Sequence, residues 1–136
     1  MRVMAIDYGD ARTGVAFSDL TGSITGDAFT IPVSSLKAAA GKLAALAAER
    51  DVRTIVLGLP LNMDGSEGER SKKSRILAVM LSEATGLDVI LWDERRTTVD
   101  AHRILSGAGR HGKKRREKID AVAASLILEG YLNRSG

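Results

Sequence analysis

Three strand-like runs fill residues 1–32, joined by connections too short to hold a crossover. Met1-Arg2-Val3-Met4-Ala5-Ile6-Asp7-Tyr8-Gly9 is an apolar run that closes on a carboxylate and a glycine. Thr13–Ser18 places β-branched or aromatic residues at alternate positions, and Ile24–Ile31 stops at Pro32. Strands linked this tightly pair antiparallel. A run with no polar face belongs in the middle of a sheet, so the first strand is expected at its centre. Asp7 then ends a buried strand, where a carboxylate is costly unless a cation compensates it. It either caps a local turn or belongs to a charged site. Gly9 leaves room for backbone or ligand to come close.

The period changes at Ser34 or Ser35, a plausible cap. Leu36, Ala39, Ala40, Leu43, Leu46 and Ala47 recur at helical spacing as far as Arg50. Arg53–Gly58 is a buried strand, expected parallel to its partner because a helical crossover precedes it. After the turn-rich Leu59–Gly65 segment, Ser66 with Glu69 fits a capping box for a helix to about Ala84, stopped by Gly86. Its first half is basic (Arg70, Lys72, Lys73, Arg75), and Ile76, Val79 and Met80 supply its apolar residues. Asp88–Trp92 is a fifth strand that runs into Asp93 and Glu94. Thr97 and Asp100 suggest a further capped helix to Ser106, closed by Gly107. Residues 107–118 have no apolar period, three glycines and six Lys or Arg, the pattern of a mobile basic loop or a solvated lead-in to a helix. Ile119–Leu132 is the last helix, with Asp120 in its first turn on the side of Ala123, Ala124 and Ile127. The expected order is β-β-β-α-β-α-β-α-α in one domain of 136 residues.

Charge is unevenly spread. Residues 1–68 hold six Lys or Arg against eight Asp or Glu, and residues 69–136 hold fourteen against nine. A local positive field points to a polyanion, nucleic acid first, although solubility alone explains such a surplus about as well. The absence of Cys rules out disulfides and thiolate metal sites and suits a reducing cytoplasm. No apolar run approaches the roughly 20 residues of a membrane span, so a soluble, untargeted protein without a membrane partner is expected.

Asp7, the Asp93–Glu94 pair and Asp120 each sit at the buried end of an element. In an open sheet the carboxyl ends of parallel strands share one edge, where ligands bind, and Asp7 and Asp93–Glu94 belong there. An Asp on a helix packed across that sheet can reach the same edge. Clustered carboxylates repel one another, and a divalent cation relieves the repulsion. Oxygen donors without Cys favour Mg²⁺ or Mn²⁺ over zinc. Each acid also has a plainer explanation. Asp120 could favour the positive end of its own helix, Asp93 and Glu94 could pair with Arg95 and Arg96, and Asp7 could cap a turn.

Four motifs occur in order: Ala5-Ile6-Asp7-Tyr8-Gly9-Asp10-Ala11-Arg12-Thr13-Gly14-Val15-Ala16, Gly58-Leu59-Pro60-Leu61-Asn62-Met63-Asp64-Gly65-Ser66, Trp92-Asp93-Glu94-Arg95-Arg96-Thr97-Thr98 and Lys118-Ile119-Asp120-Ala121-Val122-Ala123-Ala124. Together they resemble the YqgF/RuvX family, described both as Holliday-junction resolvases and as pre-16S ribosomal RNA nucleases. The resemblance implies an α/β, ribonuclease H-like fold: a mixed five-stranded sheet, first three strands antiparallel, flanked by helices. It also implies a metal-dependent phosphodiesterase whose first-strand and last-helix acids, here Asp7 and Asp120, are ligands. Related resolvases carry a Glu at the end of the fourth strand, where this chain has Gly58-Leu59-Pro60. The third acid is therefore expected from the fifth strand. Glu94 is preferred for its reach and Asp93 is the alternative, since neighbouring side chains alternate in direction; Asp64 is a weaker spare.

On this basis Asp7, Glu94 and Asp120 are the expected catalytic and metal-binding residues, with one or two Mg²⁺ or Mn²⁺ ions. Arg95, Arg110, Lys113, Lys114, Arg115 and Arg116 are expected to hold the phosphate backbone of pre-ribosomal RNA or branched DNA. Junction-cutting enzymes usually act as two-fold dimers, which leaves a homodimer open. The rival of another class is a non-catalytic nucleic-acid-binding or ribosome-assembly factor, which would keep the basic stretch without needing the acids. The Asp-x-Gly turn also occurs in sugar-kinase and actin-like ATPases, but this chain is too short for their second lobe.

Overall fold

In a computed structural model, residues 1–94 and 112–134 are described, with 112–119 described by backbone alone. Five strands form one sheet in the order β3-β2-β1-β4-β5. They are β1 (Arg2–Asp7), β2 (Arg12–Ser18), β3 (Thr25–Pro32), β4 (Val52–Leu59) and β5 (Val89–Asp93). β1 to β3 pair antiparallel, whereas β4 runs parallel to β1 and β5 parallel to β4. β1 is central, as its apolar run requires, and the three parallel strands β1, β4 and β5 end at the same edge.

Strand parity divides the core. Met4 and Ile6 of β1, Val15 and Phe17 of β2, and Ile55 and Leu57 of β4 face one way, under α1 (Leu36–Glu49) and α2 (Glu69–Thr85). Val3, Ala5, Ala16 and Val56 face the other way, under α3 (Gly112–Leu132), whose Ala124, Ile127 and Leu128 are fully buried against them. Small residues on this second face bring α3 close to the strands. Ser35 caps α1, its Oγ accepting from the Ala38 N–H at 3.0 Å.

Three expectations need correcting. The cap of α2 is Gly68, not Ser66. Ser66 is held instead in an Asp64-centred turn, its N–H and hydroxyl both donating to Asp64 Oδ1 at 2.9 and 2.6 Å. Such a short local bond competes with capping. On α2 the buried positions are Ser71, Ser74, Leu77 and Leu81, so Ile76 and Val79 face solvent. α3 begins at Gly112 rather than Ile119. Residues 112–118 are therefore the helical lead-in, because Lys, Arg and Glu propagate a helix well without an apolar face. The helix expected over residues 97–106, together with Arg95, Arg96 and Arg110, lies outside the described residues. Among the described residues no helix is long and apolar enough to cross a membrane.

Candidate active site

Parity also builds the site. Asp7 continues the Val3–Ala5 side of β1, Gly14 the Ala16 side of β2 and Gly58 the Val56 side of β4, all facing α3. Ile90 and Trp92 of β5 pack on that face too, so Glu94 follows them and Asp93 faces the other way. The two acids thus separate: Glu94 is 6% exposed, whereas Asp93 is half-buried.

Glycines make the room. Gly14 lies opposite Asp7 in the β1–β2 register, and a Cβ on it would fall 2.0 Å from the Asp120 carbonyl oxygen. The bare backbone of β2 is therefore what lets the Asp120 turn of α3 reach the sheet. A Cβ on Gly58 would lie 2.8 Å from Glu94 Cγ, Cδ and Oε2. The Glu94 side chain occupies the space that a residue at the end of β4 would otherwise fill. Asp120 lies well inside α3, not in its first turn, so the positive end of the helix does not explain it.

The carboxyls act on one another. Asp7, 7% exposed, hydrogen-bonds Glu94. Burial first, and then the Glu94 charge and that bond, push Asp7 well above the usual carboxylate range, against the pull of Arg70. Burial also raises Glu94, while its bond from Asp7 and the Arg70 charge lower it. Asp120 is pushed up to about 6 by burial and by the Asp7 charge, despite Arg12 and Arg70. Arg12 Nε donates to Asp120 Oδ2 at 3.0 Å. Asp7 Oδ1 is buried with no hydrogen-bond partner.

As they stand, these acids do not form a cage: among the described residues no group of three or more Asp, Glu, His or Cys is disposed to hold a metal ion. One carboxyl is bonded to a second through a proton, and the third is engaged by Arg12. In donor chemistry they still suit a hard divalent cation. All three offer oxygen, each is raised by burial and by another acid or acids, and one buried oxygen lacks a partner.

Asp64 is exposed and serves its own turn. Side chains of Lys113, Lys114, Arg115 and Arg116 lie outside the description, although their backbone opens α3. Arg12 and Arg70 were not singled out from the sequence as site residues. Arg12 stands just beyond the Asp7-Tyr8-Gly9 turn, and Arg70 opens α2 beside the same strand end, so adjacency to Asp7 in the fold was the missing signal.

A family profile described as RuvX: Holliday junction resolvase matches residues 1–134. The chain belongs to this family. A Myxococcus xanthus relative named "putative pre-16S rRNA nuclease" is 48% identical over 133 residues, covering 98% of this chain and 88% of the relative. A Ruminiclostridium cellulolyticum protein of the same name is 40% identical over 135 residues, covering 98% and 95%. Among solved structures, T. thermophilus RuvC in complex with Holliday junction substrate superposes with a TM-score of 0.63 at 9% identity, covering 99% of this chain and 98% of that one. At that identity the likeness concerns the fold, and this RuvX-family chain has the expected ribonuclease H-like arrangement.

Proposed function

We propose that this RuvX-family chain is a single-domain, cytoplasmic, Mg²⁺- or Mn²⁺-dependent endonuclease that hydrolyses phosphodiesters in structured nucleic acid, with 5′-end maturation of pre-16S ribosomal RNA as its reaction. The observation that carries this is the convergence of Asp7, Glu94 and Asp120 on one sheet face at the edge where β1, β4 and β5 end. The names of the curated relatives support ribosomal RNA as the substrate.

Asp7, Glu94 and Asp120 would hold the cation through their carboxylate oxygens. When bound, it supplies a water of lowered pKa and stabilises charge on the leaving 3′ oxygen. Arg95, Arg110, Lys113, Lys114, Arg115 and Arg116 would grip the phosphate backbone and set its register without reading sequence. The second reading, cleavage of branched DNA, is favoured by the family description and would further call for a homodimer carrying two centres.

The test compares wild type, Asp7→Asn and Asp120→Asn on labelled pre-ribosomal RNA and on branched DNA, with Mn²⁺ or with chelator. Wild type should cut the RNA only with metal, and both variants should bind it without cutting. Preferential cutting of the branched DNA would move the substrate to junctions. Binding by all three proteins with no metal-dependent cutting would leave a non-catalytic nucleic-acid-binding or ribosome-assembly factor.

A further inference from the structure

We propose that Arg70 is a catalytic residue of this centre, its guanidinium donating to the non-bridging oxygens of the phosphodiester being cut. The inference rests on the hydrolytic function proposed for the acids and adds the group that meets the substrate's own charge. Arg70 is the second residue of α2, in the layer opposite α3, and it reaches over the edge of the sheet. Its Nη2 lies 3.5 Å from the Tyr8 carbonyl oxygen, one residue past Asp7. The Ser71 hydroxyl donates to the Pro60 carbonyl just beyond β4, which fixes the first turn of α2 at that edge. From there the Arg70 charge acts on Asp7, Glu94 and Asp120 alike.

Among the described residues, other cations nearby are already committed. Arg12 Nε is 3.0 Å from Asp120, Lys73 Nζ is 2.9 Å from Asp10, and Arg75 donates twice to Glu67 at 2.7 and 2.6 Å. Arg70 has no carboxylate within ion-pair distance among the described residues, and its one bond is at the limit of hydrogen-bonding range. It is also exposed, so a substrate strand can reach it. A planar guanidinium held beside the acids, with donors to spare, matches a phosphate bidentately.

In the hydrolysis, the water oxygen bonds to phosphorus and the bond from phosphorus to the 3′ oxygen breaks. One water proton passes to solvent, and the leaving oxygen takes one up. Arg70 faces the non-bridging oxygens throughout, where a donor that meets the charge developing there favours the transition state over the ground state.

The test measures single-turnover cleavage of labelled pre-ribosomal RNA in Mn²⁺ at saturating enzyme by wild type, Arg70→Gln and Arg70→Lys, alongside substrate affinity in Ca²⁺. Arg70→Gln should lower the rate roughly 100-fold while substrate affinity changes by less than about threefold, and Arg70→Lys should recover part of the loss. A second substrate carries a neutral methylphosphonate on a 2′-deoxy linkage at the cleaved position. Relative to an all-phosphate control with the same deoxy residue, it should slow wild type at least about tenfold and Arg70→Gln hardly at all, because both changes remove the same contact. Equal slowing of the two proteins, or an Arg70→Gln rate within threefold of wild type, would overturn the role of Arg70 alone. No cleavage by wild type would overturn the hydrolytic function, and the role of Arg70 with it.

Discussion

Neutralising Asp120 should stabilise the metal-free protein while disabling it. Burial and the Asp7 charge lift Asp120 from 3.8 to about 6 in the folded state. A shift of about two units corresponds to about 3 kcal/mol at 1.36 kcal/mol per unit. The side chain is 26% exposed, so solvent screening brings the expected effect down to about 1–2 kcal/mol. The sign follows from proton linkage. Between pH 3.8 and about 6 the folded state binds more protons at this site than the unfolded chain, so stability falls as pH rises through that window. Asp120→Asn removes the penalty and keeps an acceptor for Arg12. In chelator, its melting temperature should match wild type near pH 4 and exceed it by roughly 3–6 °C at pH 8. Saturating Mn²⁺ should reverse the order, since an ion at about 100 times its Kd adds about 2.7 kcal/mol to wild type and little to the variant. Thermal denaturation followed by circular dichroism at the two pH values reads all of this. A variant no more stable than wild type at pH 8, or a gap that does not change with pH, would refute the reasoning.

Gly58→Ala places a methyl group 2.8 Å from the Glu94 carboxyl. Glu94 is a flexible side chain, so stability should fall by no more than about 1 kcal/mol while cleavage drops tenfold or more, a split visible in paired melting and activity assays. Gly14→Ala meets backbone instead, 2.0 Å from the Asp120 carbonyl oxygen. It should lower stability by about 1–3 kcal/mol in urea denaturation and abolish cleavage as well. Replacing Lys113, Lys114, Arg115 and Arg116 with Gln should weaken nucleic-acid binding and flatten its dependence on salt by roughly one unit of slope per lost phosphate contact. Filter binding across a salt series checks this, and an unchanged slope would remove the start of α3 from the interface.

Much of this architecture can be read from local signals. Short connections forced β1 to β3 into antiparallel pairs, and an apolar run with no polar face put β1 at the centre. Asp7 stood out because a charged residue at the end of a buried strand needs an explanation. Alternation along the strand said that Asp93 and Glu94 could not both face inward, but reach alone favoured Glu94; the packing of Trp92 on the α3 face is the tertiary fact that puts Glu94 on that side. Less was legible where the signal is tertiary. Nothing in the spacing joins Arg12 to Asp120 across 108 residues, and only packing places Arg70 over the end of β1. The start of α3 was hidden because residues 112–118 are helical although their sequence has no apolar period. Ser66 and Glu69 have capping-box spacing, but Asp64 captures Ser66 first. Ile76 and Val79 show how apolar residues on a helix can mislead when the buried stripe includes Ser71 and Ser74.

Mn²⁺ titrated calorimetrically into metal-free wild type, Asp7→Asn, Glu94→Gln and Asp120→Asn asks whether three acids, two bonded to each other and one to Arg12, share one cation. Each neutralisation should weaken binding at least about tenfold, with Asp10→Asn, whose carboxylate meets Lys73, as the unaffected control. Wild-type affinity retained by all three variants, or no binding by wild type, would contradict a common metal centre.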